Sequence, residues 1–279
     1  MWMQVRCSRT SISLLALLAL LLPLTSAGAQ NKIVVDGSTG TAPLVAALGK
    51  AFAAKSGIAI EFGKGLGSKA RFAALADGKI DIAMASHGLK VDEVTRRGMT
   101  VHQIAKTAVV FAAHETAKVT SLADVQVCAI YEGKHRNWKE LGGADLAIAA
   151  HIRPDSEVDT EVIRAGVGCL QTMTFPQAVK VMAKSGDMAK ALAATPGAFG
   201  VTSATVVEQS KGKLRTIALG RVTPDEAGIA AGRYRLTREA FLVTNNTASS
   251  AVKRFIDFVR SKDGAAVIRA SGAIAASRN

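Results

Sequence analysis

Small polar residues stand at four places where this chain passes from an extended run to a helical one. They are Ser38-Thr39-Gly40-Thr41, Gly67-Ser68, Ser86, and Arg153 with Ser156 and Thr160. A hydroxyl at such a junction donates a hydrogen bond. The first N–H groups of a helix have no partner within the helix and carry a partial positive charge. Together they suit an anion, and in open α/β sheets ligands gather beyond the carboxyl ends of strands. Arg153 adds a planar cation able to hold an oxyanion with two parallel N–H bonds. One such turn would be an ordinary helix cap. Four in one chain describe a site for a small oxyanion.

Motifs for other chemistry are missing. Gly63-Lys64-Gly65-Leu66-Gly67 is followed by Ser68, which fits neither G-x-G-x-x-G nor the Gly-Lys-Ser/Thr ending of a P-loop. There is no Gly-x-Ser-x-Gly elbow. Ser210/Lys213 and Ser250/Lys253 match Ser-x-x-Lys without the accompanying Lys-Thr-Gly or Ser-Asp-Asn. His114-Glu115 has Lys118, not His, where a zinc protease needs its second ligand. The sequence therefore predicts a binding protein rather than an enzyme, with no cofactor and no metal.

The elements that position these turns alternate. Lys32 to Asp36, Ile58 to Phe62 and Ile80 to Ala85 read as strands. Leu44, Val45, Leu48 and Phe52 repeat at helical spacing up to Gly57, and Ser68 to Ala76 reads as a second helix. Further strands are predicted at Thr107 to Ala113, Ala147 to Ile152, Ala198 to Val201, Leu214 to Leu219 and Phe241 to Thr244. Helices are predicted at Thr120 to Tyr131, Asp159 to Val167, Pro176 to Ala183, Ala251 to Val259 and Gly264 to Ala270. The order argues for an α/β fold with parallel strand pairs.

The chain has 279 residues, 49% apolar and 5% aromatic, with 35 Lys plus Arg against 22 Asp plus Glu, a net charge of +13. Disorder is excluded by the hydrophobicity. Arg6 and Arg9, the apolar run Ile12 to Leu22, Pro23 and Ala27-Gly28-Ala29 read as a secretory signal peptide cleaved after Ala29. The apolar run is about half the roughly 20 residues a membrane span needs. Losing Arg6 and Arg9 lowers the charge from +13 to +11. The basic residues are scattered and stacking aromatics are few, which argues against nucleic acid. After cleavage Cys128 and Cys169 remain. In an oxidising compartment they can form one disulfide; each also lies in an apolar helical pattern where a buried free thiol is equally ordinary, and the sequence leaves this open.

At the polar turns the sequence resembles the phosphate-binding receptors of bacterial ABC phosphate importers, from about Ile33 to Ile274. Asp36-Gly37-Ser38-Thr39 resembles the family's first anion loop, Gly65-Leu66-Gly67-Ser68 its second Gly-Ser turn, and Ile80 to Ser86 the strand ending in a ligand-contacting Ser. Ile130-Tyr131-Glu132-Gly133-Lys134 with Asn137-Trp138 and Leu141-Gly142-Gly143 is similar to the middle-lobe signature, in which Trp138 is a packing residue. Pro196-Gly197-Ala198-Phe199-Gly200, Gly232 to Leu236 with Arg238, and Phe255-Ile256-Asp257-Phe258 also match. The family's compact Ser-Gly-Thr turn after the Arg is replaced here by residues 154–160, and Ser86 is followed by His87, a donor at lower pH.

The resemblance implies a two-lobed type 2 periplasmic binding fold, each lobe a mixed sheet flanked by helices. Residues 30–108 would open lobe I, 109–213 form lobe II, and 214–279 return to lobe I. It implies a monomer in the periplasm that captures inorganic phosphate between its lobes and hands it to an ABC permease in the inner membrane. Ser38, Thr39, Gly40, Ser68, Ser86, Arg153, Ser156 and Thr160 would bind the ligand. Asp36, and after it Glu157, would accept the phosphate proton that sulfate lacks. The alternatives are a receptor for molybdate, tungstate or sulfate, or a sensor or scaffold protein reusing the fold.

Overall fold

A computed structural model describes residues 1–4 and 32–276. The segment read as a signal peptide, with its expected cleavage after Ala29, lies outside the described residues apart from its first four. The β-branched run Lys32–Gly37 forms β1. The chain continues through α1 (Ala42–Ser56), β2 (Ala59–Phe62), α2 (Ser68–Ala76), β3 (Ile82–Ser86), α3 (Val91–Arg96) and the long β4 (Met99–His114). Next come β5 (Ser121–Leu122), α4 (Asp124–Tyr131), β6 (Ala149–Ile152), α5 (Val158–Gly166), β7 (Lys180–Val181), α6 (Ser185–Ala194), β8 (Ala198–Ser203) and α7 (Ala204–Gln209). The chain ends with β9 (Leu214–Leu219), α8 (Glu226–Ala230), β10 (Thr237–Asn245), α9 (Ser250–Arg260), α10 (Lys262–Ala270) and β11 (Ala273–Ala275).

Among the described residues eleven strands form one mixed sheet, with the main path β2-β1-β3-β10-β4-β8-β6-β7. β1 pairs in parallel with β2 and β3, joined through α1 and α2. Parallel neighbours need such crossovers, and the crossovers bring the carboxyl ends of β1 and β3 to one edge. β4 is shared. Its first part pairs with β10, and residues 109–114 pair with β8 and β9.

Apolar side chains gather accordingly. Ile33, Val35, Leu48, Phe52, Leu242 and Phe255 pack in one core, where Phe52 and Phe255 meet edge to face at 5.2 Å. Phe111, Tyr131, Trp138, Ile163, Leu192 and Phe199 pack in another, where Phe111 and Phe199 stack at 5.7 Å. Leu214, Ile217 and Leu219 of β9 join this second core, as do Tyr234 and Leu236. Trp138 is fully buried and donates its indole N–H to the Gly197 carbonyl at 2.9 Å, a packing role as the resemblance implies. No helix of the described residues is long and apolar enough to cross a membrane.

Several elements differ from the sequence reading. Residues 176–183, expected as a helix, instead hold β7, because Lys180 and Val181 align in parallel beside His151 and Ile152 of β6. The helix begins later, at Ser185. The helix expected from Thr120 starts at Asp124, since Ser121 and Leu122 pair with β9. The strand expected over 107–113 spans Met99–His114, and that over 241–244 spans Thr237–Asn245. The short helices α3, α7 and α8 were not expected.

Cys128 and Cys169 form a disulfide with a Cα–Cα distance of 6.3 Å, tying α4 to the turn after α5. Closing a loop across 41 positions removes unfolded-chain entropy worth about 4 kcal/mol in the chain-entropy picture. Replacing both Cys by Ser is therefore expected to lower the Tm by roughly 10 °C, read by differential scanning calorimetry. An unchanged Tm would show that the bridge does not restrain unfolding.

His102 of β4 is buried, with Nε2 3.0 Å from the Thr244 hydroxyl. Burial, aided by Arg260, lowers its pKa from 6.5 to about 4. The folded form thus resists a proton that the unfolded chain accepts. Stability is expected to fall as pH drops below about 6.5 and to level off near 4, by at most about 3 kcal/mol from this group. Thermal melts across that range should show a shallower fall for His102→Gln than for the wild type.

Candidate functional site

The first loop is built from β1 outward. The Asp36 carboxylate is buried, and its Oδ1 accepts the N–H groups of Gly37 at 2.6 Å, Gly65 at 2.8 Å and Leu66 at 2.9 Å. Three N–H donors on one oxygen make Asp36 the brace that folds the Gly-rich loop against β1. Gly63 lies so close to this carboxylate that a side chain there would run into it, and Gly65 takes a φ of +90°, which favours glycine. Ser38 donates its N–H to the Met84 carbonyl of β3 at 2.9 Å. The Gly40 carbonyl accepts Arg238 Nη2 at 2.8 Å, and a side chain at Gly40 would collide with that guanidinium. Thr41 is buried and donates its hydroxyl to the Ala85 carbonyl, next to Ser86. Ser86 itself donates to the Glu239 carbonyl at 3.1 Å.

Arg153 meets this loop from the other core. It follows β6 and is 1% exposed. Its Nη1 donates to the Ser185 hydroxyl at 2.9 Å, and its Nη2 reaches Thr39 Oγ1 at 3.4 Å and Glu157 Oε2 at 2.5 Å. Nε is buried without a partner. The Ser185 N–H, opening α6, points to Thr39 Oγ1 at 3.5 Å. Thr39 therefore stands between a guanidinium and a helix N-terminus. The helices α1, α2 and α6 begin around the same loop and add partial positive charge. Behind Arg153, the Thr160 hydroxyl donates to the Arg153 carbonyl at 2.9 Å, and Asp159 forms an ion pair with Arg238 at 2.9 Å without hydrogen-bond alignment.

A cleft of about 660 Å³ opens beside Thr39, lined by Gly37, Lys64, Gly65, Lys184 and Ser185 and by the apolar Ala42, Met84 and Leu214. Lys184 Nζ donates across it to the Lys64 carbonyl at 2.5 Å. Arg153 contacts both Thr39 and Glu157, and of these three residues Thr39 lines the cleft. Asp36, Ser38 and Gly40 shape the loop that carries Thr39. Ser68 opens α2, is exposed, and accepts Arg71 Nη2 at 2.8 Å. Ser156 is exposed and Thr160 is fully buried behind Arg153, so neither hydroxyl is brought to the cleft beside Thr39. His87 lies 2.6 Å from Glu239 Oε2, which directs its ring to that carboxylate. Burial works to raise the Glu239 carboxyl, but the His87 hydrogen bond and neighbouring cations prevail and lower it.

Two residues escaped the sequence reading. Ser185 belongs to the helix misplaced upstream; the signal was Lys184-Ser185-Gly186-Asp187 ahead of Met188 and Leu192, a cap followed by apolar residues at helical spacing. Arg71 lies inside α2, where Arg is an ordinary helix former. No group of three or more His, Cys, Asp or Glu among the described residues could hold a metal ion.

The chain belongs to the PBP superfamily, whose domain model matches residues 24–263. The phosphate-binding protein PstS of Bacillus subtilis is 25% identical over 239 residues, covering 84% of this chain and 77% of that one. PstS of Borreliella burgdorferi is 24% identical over 198 residues, covering 68% and 71%. A Clostridium perfringens protein, described as a phosphate ABC transporter substrate-binding protein and solved with bound phosphate, superimposes with a TM-score of 0.70 at 27% identity. That match covers 88% of this chain and 100% of the other.

Proposed function

We propose that this chain is a periplasmic receptor that captures inorganic phosphate beside Thr39 and delivers it, as a monomer, to an ABC permease of the inner membrane. The observation that carries this reading is Arg153. It is a buried guanidinium whose Nε has no partner and whose other nitrogens reach Thr39, Ser185 and Glu157. A buried donor left unpaired costs about 1–3 kcal/mol, so an oxyanion here is favoured by what it satisfies. The relatives named above bind phosphate, which supports the choice of anion.

Lobe I would comprise residues 32–108 and 237–276, around the Ile33 core, and lobe II residues 109–236, around the Phe111 core. The return is drawn at β10 rather than at 214 because β9 packs with Phe111. Thr39 lies on one lobe, and Arg153 and Ser185 on the other. A phosphate touching both binds the closed form better than the open one, and this difference is what drives closure.

Of the two candidate proton acceptors, Glu157 fits better. Asp36 Oδ1 already accepts three N–H bonds and holds the loop. The Glu157 side chain is 36% exposed, and its carboxylate sits on Arg153 at the ligand's place of arrival. A carboxylate there accepts the proton of phosphate and repels fully ionised sulfate, as sites built for a substrate hydroxyl reject analogues lacking it. Calorimetric titration of the mature protein with phosphate, sulfate and molybdate tests the reading. Micromolar phosphate binding with at least tenfold weaker sulfate and molybdate supports it. Heat from none of the three would refute it.

A further inference from the structure

Both arginines so far placed at the site are engaged by carboxylates: Arg153 pairs with Glu157, and Arg238 with Asp159. Asp36 is buried against N–H groups, and Lys64 and Lys184 line the cleft. An oxyanion gains most from a guanidinium that no carboxylate already holds, because screening by water is weak at a part-buried site.

Arg71 is such a guanidinium. It enters from α2, and its Cδ lies 3.0 Å from where a Cβ on Gly37 would stand, beside the first anion loop. Its Nη2 donates to Ser68, the hydroxyl of the second loop, at 2.8 Å. Its Nε is buried without a partner, as is that of Arg153. Its guanidinium carbon lies 5.3 Å from the centre of the Phe72 ring, which holds the head group in place. Burial lowers its pKa, and the negative field of Glu157 raises it in part, so the two charges lie within each other's field. No acidic side chain makes an ion pair with Arg71 among the described residues.

We propose that Arg71 is a further ligand-binding residue of this site, a second guanidinium that joins Arg153 in holding a phosphate-like oxyanion. The inference rests on the phosphate reading above. Arg71 stands beside the Gly37 loop and the Ser68 turn, and both it and Arg153 lie within the field of Glu157.

The test is calorimetric titration of the full mature chain with inorganic phosphate, for the wild type, Arg71→Gln and Arg71→Lys, with a thermal melt of each without ligand. Arg71→Gln is expected to weaken phosphate binding about 10–30-fold, as loss of one charged hydrogen-bonding partner predicts. Arg71→Lys keeps the charge and should recover part of that loss. Melting temperatures without ligand should stay close to the wild type, since the side chain is only part-buried and its one hydrogen bond is to an exposed Ser. Equal phosphate affinity in the wild type and Arg71→Gln would overturn the assignment while leaving the phosphate reading intact. A wild type that takes up no phosphate would overturn both. If Arg71→Gln does not fold, Arg71→Lys decides: binding weaker than the wild type supports the role, and unchanged binding refutes it.

Discussion

Replacing Arg153 by Ala is expected to weaken phosphate binding at least about 100-fold. A charged hydrogen bond to an oxyanion contributes roughly 1.5–3 kcal/mol, and Arg153 can offer two, whereas tenfold in affinity needs only about 1.4 kcal/mol. The loss reaches beyond the guanidinium. Arg153 also aligns Ser185 and Thr39, so the substitution frees the α6 N-terminus from the first anion loop. It further leaves the Glu157 carboxylate without its cation, close to the arriving ligand. Arg153→Lys keeps the charge, but a single ammonium cannot reach Thr39, Ser185 and Glu157 in one planar fork, so affinity should recover only in part. Titration of both variants, with circular dichroism to verify folding, checks this. Micromolar binding by a folded Arg153→Ala protein would remove Arg153 from the site.

The second large effect concerns selectivity. Glu157→Gln preserves shape and keeps an oxygen for Arg153, but it removes the negative charge and the proton acceptor. Phosphate then loses one hydrogen bond, and sulfate no longer meets a carboxylate. The ratio of phosphate to sulfate affinity is expected to fall about 100-fold, a combined change of roughly 2.8 kcal/mol, read by titrating each anion into the variant. Asp36→Asn is a useful contrast. The amide cannot accept the N–H groups of Gly37, Gly65 and Leu66 as a carboxylate does, so it should weaken all anions alike by loosening the loop. A sulfate gain in Asp36→Asn and none in Glu157→Gln would reverse the two roles.

The sequence revealed those parts of the fold that local chemistry determines. The β-branched run at Lys32 and the Gly67-Ser68 start of α2 are signals read within a few residues, and both elements lie where the pattern puts them. β7 was hidden because its residues adopt strand geometry only beside β6, while Val179 and Met182 mimic helical spacing. The first half of β4 was hidden by Thr100, His102, Gln103 and Lys106, polar residues on a strand that β10 pairs along its length.

The same division runs through the site. Thr39 and Arg153 were legible as candidates because a hydroxyl turn and a cation each follow a predicted strand, and the structure brings Arg153 Nη2 to 3.4 Å from Thr39 Oγ1. Ser185 lies 32 residues from Arg153, and only the sheet brings them to 2.9 Å. The distant partners of Asp36 were beyond sequence reading, since Gly65 and Leu66 are 29 and 30 residues away. Thr160 was misread in the other direction: its hydroxyl supports the Arg153 backbone from behind instead of facing the cleft.

The claim that the oxyanion is held between the Thr39 loop and Arg153 is tested most directly by a crystal structure of the mature protein grown with phosphate. One tetrahedral anion is expected within hydrogen-bond distance of Arg153 and the Thr39 hydroxyl, with a Glu157 carboxylate oxygen at hydrogen-bond distance from one of its oxygens. An anion bound elsewhere, for instance in the basic depression formed by Lys106, Arg260, Lys262 and Arg269, with the Thr39 cleft holding only water, would contradict it.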